Sequence, residues 1–112
     1  MATTNVSLVE GSQLTTSAAT YYTSPSNTTT IIKKLTVTNT SAGAVTVTIY
    51  LVASGGSAGA ANTVTSAKSI APGATYEAYE CENHVLAPGD TLQALASSGA
   101  SLTLKGSGIQ VV

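Results

Sequence analysis

The chain has 112 residues, a net charge of −1 and only 8% charged residues, with one His, one Cys and neither Arg, Trp nor Phe. That length suits a single domain with a core large enough to fold without disulfide or metal. Four Lys against five acids give no basic field for nucleic acid, and no run of 18 apolar residues could form a membrane-spanning helix.

In chain order, residues 1–11 read as an N-terminal arm or short strand around Val6, Leu8 and Val9. Gln13–Thr23 reads as a strand that ends at the turn cluster Ser24-Pro25-Ser26-Asn27. Thr28–Thr40 and Ala44–Ala53 carry the strongest pattern. Leu35, Val37, Val45, Val47, Ile49 and Leu51 alternate with Thr36, Thr38, Thr46 and Thr48. Side chains on a strand point alternately to opposite faces, so each run has an apolar face and a threonine face. The spacing predicts a hairpin across Ser41-Ala42-Gly43. Ser54–Asn62 reads as a flexible loop and Thr63–Ile70 as the next strand. Ala71-Pro72-Gly73-Ala74-Thr75 and Ala87-Pro88-Gly89-Asp90-Thr91 are type II turn signatures. Tyr76–Glu82 between them is predicted to be extended. Leu92–Ala96 and Ser101–Lys105 predict a second hairpin, and Gly106 and Gly108 predict a bulge or close backbone approach in the last strand. The whole is an all-β fold: one β-sandwich domain of seven or eight antiparallel strands, either a jelly roll or an immunoglobulin-like Greek key.

Chemistry-bearing residues concentrate in one stretch, Glu77 to His84. If it is a strand, Glu80, Glu82 and His84 share a face and could ligate a divalent metal, but no second cluster completes such a site. Cys81 and His84 would face opposite ways on a strand, which argues against a nucleophilic pair; Cys81 reads as a small buried apolar residue. No cofactor or metal is expected, and the inventory points away from an enzyme. Successive Lys33 and Lys34 should also face opposite ways. The sequons at Asn27 and Asn39 read as chance matches in a Thr-rich chain without a basic, apolar leader, and the single Cys fits a reducing compartment. With so few charges, much of the surface is expected to be covered by other subunits. Tyr76 and Tyr79 serve either packing or an interface.

The order Tyr22-Thr-Ser-Pro-Ser-Asn-Thr-Thr-Thr-Ile-Ile-Lys33, then Leu35 to Val52, a Gly-Gly-Ser loop, Lys68-Ser-Ile-Ala-Pro-Gly73, Val85-Leu-Ala-Pro-Gly-Asp90 and Ser107-Gly108 resembles small virion proteins of tailed bacteriophages. These are capsid decoration (cement) proteins or neck and tail accessories. The resemblance runs from Tyr22 to Val111, and its turn and hairpin motifs are also similar to those of bacterial surface immunoglobulin-like modules. It implies a dimeric or trimeric β-sandwich bound to the outside of a capsid, with the major capsid protein or another virion protein as partner and no catalytic residues. A neck, tail or fibre part and a host-surface or glycan-binding module are the alternatives. The interface candidates are Val6 and Leu8 in the arm, Tyr76, Tyr79, Glu80, Glu82 and His84 in the acidic stretch, and Ile109 and Val111 in the tail. Arm and tail would add strands to a neighbouring sheet edge.

Overall fold

The alternating runs resolve into strands buried on one face. A computed structural model describes residues 2–112; Met1, the first residue of the expected arm, lies outside them. Among the described residues there are nine strands: β1 (Thr3–Gln13), β2 (Ala19–Thr23), β3 (Thr29–Asn39), β4 (Val45–Val52), β5 (Thr63–Ile70), β6 (Thr75–Glu77), β7 (Val85–Leu86), β8 (Thr91–Ala96) and β9 (Leu102–Val111). Single 3-10 turns form at Ala60–Asn62 and Tyr79–Cys81, and no helix is long and apolar enough to cross a membrane.

The strands form two antiparallel sheets. One has the order β1-β9-β3-β6, with β7 also on β3; the other has the order β2-β8-β4-β5. The pairs β4–β5, β3–β6/β7, β2–β8 and β1–β9 nest inside one another. The chain is therefore one long hairpin, tipped between β4 and β5 and rolled so that successive strands of each half alternate between sheets. That is the jelly-roll order, and it settles the choice the sequence left open. At its open end Ala2 and Val112 exchange both backbone hydrogen bonds, 3.2 and 2.9 Å. Leu14, Ile32, Leu35, Ile49, Leu92 and Leu104 are fully buried between the sheets.

Both expected hairpins are corners instead. β3 and β4 lie in different sheets, as do β8 and β9. Alternation reports which face is buried, and that face is the same whether the chain turns back beside itself or crosses the core. Asn39 builds the first corner. Its buried amide donates to the carbonyls of Gly43 (2.8 Å) and Ile70 (2.9 Å) and accepts from the backbone N–H and hydroxyl of Ser41. At the second, Ala96 and Ala100 N–H groups donate to Thr15 and Leu14 carbonyls. Residues 14–18 are thus a crossing between sheets, and β2 is shorter than the strand expected from Gln13.

Three further expectations change. The arm is β1, a full strand paired with β9 from Thr3↔Val111 to Gln13↔Thr103. A register shift between Ser7 and Val9 lets adjacent Leu8 and Val9 both enter the core. The 54–62 loop is pinned: Asn62 donates to the Ser57 carbonyl and accepts from Gly59 N–H, and Asp90 accepts from Ser54 N–H. The acidic stretch is not one strand. Ala78 N–H bonds to the Leu35 carbonyl and Asn83 N–H to the Ile32 carbonyl, so residues 79–82 leave the β3 ladder as a 3-10 turn and return through Asn83 at φ 67°.

The Pro-Gly turns form as the sequence predicts. Ala74 and Asp90 N–H close onto the Ala71 and Ala87 carbonyls, with Gly73 at φ 75° and Gly89 at φ 87°. The close approach expected in the last strand is present too. A Cβ on Gly108 would strike the Ile31 carbonyl oxygen and lie 3.0 Å from Leu8 Cδ1. The β3 register against β9 slips there, between Ile32 and Lys34.

Candidate interface surfaces

The nine candidate residues separate into three places. Leu8 is 7% exposed and belongs to the core, so it presents nothing to a partner; Val6 is half-buried beside it. Ile109 and Val111 are half-buried within β9, where β1 and β3 flank them on either side. The tail is therefore a central strand and cannot add itself to another sheet. Tyr76, Tyr79, Glu80, Glu82 and His84 remain together as a corner at the β6/β7 edge. Tyr79 is 70% exposed and Val85 59%.

The 3-10 turn removes the strand alternation on which the metal reading rested. Among the described residues no three His, Cys, Asp or Glu side chains converge to hold a metal ion. Glu80 turns back onto its own chain instead, accepting the Tyr76 hydroxyl and the Thr65 hydroxyl (2.9 Å). Burial and that bond push the Tyr76 phenol up to about 12. Burial alone would raise the Glu80 carboxyl, but the Tyr76 and Thr65 hydrogen bonds and the nearby Lys68 charge outweigh it and hold it below its ordinary value. Lys68 itself sits 5.4 Å from the Tyr76 ring centre.

Glu82 lies against Glu77. Its Oε2 is shielded from water and meets no donor of another residue. The side-chain hydrogen bond with Glu77, burial and the Glu77 charge raise the Glu82 carboxyl, while Lys34 pulls the other way. Cys81 is fully buried, and burial pushes its thiol up to about 12, so it is uncharged at neutral pH. His84 is exposed and meets Cys81 through a backbone bond alone, from its own N–H to the Cys81 carbonyl.

A second surface was not anticipated from the sequence. Lys33 and Lys34 do not face opposite ways: both are exposed, because the bulge in β3 interrupts the alternation. Ser7, Lys34, Thr36, Lys105, Gly106 and Ser107 line a depression of about 220 Å³. A neighbouring hollow, rimmed by Lys33 and Asn5, shares Ser7 and Ser107. Three of the four lysines thus gather on the outer face of the β1-β9-β3-β6 sheet. The signal available in the sequence was the glycine pair at 106 and 108, which the structure pairs with Leu35 and Ile32, on either side of the slip.

The fold recurs in known assemblies. A subunit of Bacillus endospore appendages, from a family of disulfide-linked pili, superposes with a TM-score of 0.56 at 17% identity, over 98% of this chain and 88% of that one. The VP2 subviral particle of infectious bursal disease virus gives 0.52 at 14% identity over 97% of this chain, and the T13 particle of that virus 0.51 at 11% over 96%. The chain spans about a third of those viral chains, 32% and 30%. At such identities the likeness is one of fold. No family model and no curated protein matches the sequence.

Proposed function

We propose that the chain is a structural subunit of a virus particle, and specifically a decoration protein on the outside of an assembled bacteriophage head, with the major capsid protein as partner. The observation that carries this reading is a jelly roll whose outward strand positions are chiefly Thr and Ser, with few charges beyond the lysines, a surface suited to being covered by neighbours. The sequence resemblance to small phage virion proteins and the fold shared with virus-particle and appendage subunits support it. Such a protein acts by mass action. It binds the assembled lattice and not the free subunit, so it stabilises the lattice, and many symmetric copies make weak contacts collectively strong. The exposed corner at Tyr79 and Val85 offers one contact, and a homodimer or homotrimer is the expected unit. This role asks for no catalysis, and the protonated, enclosed Cys81 thiol agrees with that.

A filament subunit is the second reading, favoured by the match over 88% of the appendage chain. Disulfide linkage into a chain needs two cysteines per subunit; this one has a single, buried Cys81. A filament of it would be held by non-covalent contacts. Quantitative mass spectrometry of purified phage particles separates the cases. Hundreds of copies per head are expected; a handful would place the chain in the neck or tail, and absence would leave the virion reading without support.

A further inference from the structure

The lysine face is only partly matched by the chain's own acids. The one ion pair among the described residues joins Lys34 to Glu77 at 3.9 Å, a long contact, and the Lys34 side chain stays 61% exposed. Lys33 Nζ donates to the Asn83 side-chain oxygen at 3.0 Å, a neutral partner. The rest of the lining of the two hollows carries no charge: Ser7, Ser107, Thr36 and Asn5 offer hydrogen-bonding groups, and Val6, Ile109, Gly106 and Gly108 offer none from a side chain.

A second copy of this chain would not complete the face. Glu80 is held by Tyr76 and Thr65, and Glu77 by Lys34 and Glu82. Both Asp90 oxygens accept backbone N–H groups, from Ser54 and Ala87. Only exposed Glu10 is left, one carboxylate against three lysines of which Lys34 alone has an acid beside it. A nucleic acid or sulfated glycan fits poorly as well. The face has no Arg to grip phosphate or sulfate with two parallel bonds, and no aromatic ring lines either hollow.

We infer that the outer face of the β1-β9-β3-β6 sheet, at Lys33, Lys34 and Lys105, is a docking surface for a carboxylate-rich segment of a different protein. The lysines supply charge, and the short Ser7 and Ser107 side chains between them let an extended backbone approach closely, with hydroxyls to receive it. The inference rests on the reading above, in which the chain sits on a larger particle; it adds which face is seated and the sign of what it meets.

The test is a titration of isotope-labelled protein with a hexaglutamate peptide, followed by amide NMR shifts in low salt. Saturable shifts are expected at Ser7, Lys33, Lys34, Thr36, Lys105 and Ser107. The double variant Lys34→Gln/Lys105→Gln should weaken binding at least tenfold, and salt near 0.15 M should weaken it severalfold. Lys68→Gln, on the other sheet, should leave it unchanged. The substituted lysines are exposed, so the variants should fold, and their unperturbed amide spectra verify it. Shifts absent, scattered, or equally lost in Lys68→Gln overturn the inference. A sulfated hexasaccharide that binds the same face more tightly than the peptide overturns the assignment to a protein partner. Particle copy number is measured independently of this titration, so a failure of one reading is not mistaken for a failure of the other.

Discussion

Glu82 gives up its proton less readily than an isolated glutamate does. Its carboxyl is raised above the ordinary 4.5 by the bond to Glu77, by burial and by the Glu77 charge. The native chain therefore binds more protons than the unfolded chain as pH rises past the ordinary value, and stability falls until the raised value is passed. Glu80, lowered, acts in the opposite sense: its contribution is lost as pH falls through its own depressed value. Glu82→Gln removes the first dependence and keeps the second. Urea midpoints for the two proteins should nearly coincide at pH 4.5, and the variant should be the more stable at pH 7. Parallel pH profiles would show that Glu77 does not raise the Glu82 carboxyl. None of this was legible from the sequence, because the pairing depends on a 3-10 turn that brings positions 77 and 82 together, where strand alternation would separate them.

At the scale of elements, strand identity was read well and strand connection poorly. Leu35, Val37, Val45, Val47 and Ile49 alternate as a buried face demands, and all five are buried. The Pro72-Gly73 and Pro88-Gly89 turns form where their chemistry requires. What pattern cannot encode is whether a short polar link folds a strand back or carries it across the core. Here that choice is made by Asn39, a residue buried as completely as Leu35. Its side chain makes four hydrogen bonds that hold Ser41, Gly43 and Ile70 in the corner. Asn39→Ala leaves buried backbone groups unpaired and should cost about 3 kcal/mol, measured by urea unfolding. A loss under about 0.5 kcal/mol would mean that water replaces the amide and the corner is held by its backbone alone. The candidate interface divides along the same line. Exposed Tyr79 was identifiable as an aromatic among acids, whereas the clustering of Lys33, Lys34 and Lys105 required the slip in the β3 ladder.

Across the whole molecule, the outermost strands of the rolled hairpin are the first and the last. β1 covers one side of β9, and Leu8 and Val9 fill the core beneath it. Deleting Thr3–Gln13 should therefore abolish cooperative thermal unfolding followed by circular dichroism; a removable arm would leave the melting temperature unchanged. Pairs so distant in sequence also make the fold non-local, so the chain should gain its last strand late and slowly. The Ala2–Val112 pair has another consequence. A peptide attached ahead of residue 2 and another attached after residue 112 would leave from one point. A link of a few residues there would make the backbone endless without moving either sheet, and the two broad faces would stay clear of whatever the tethers carry.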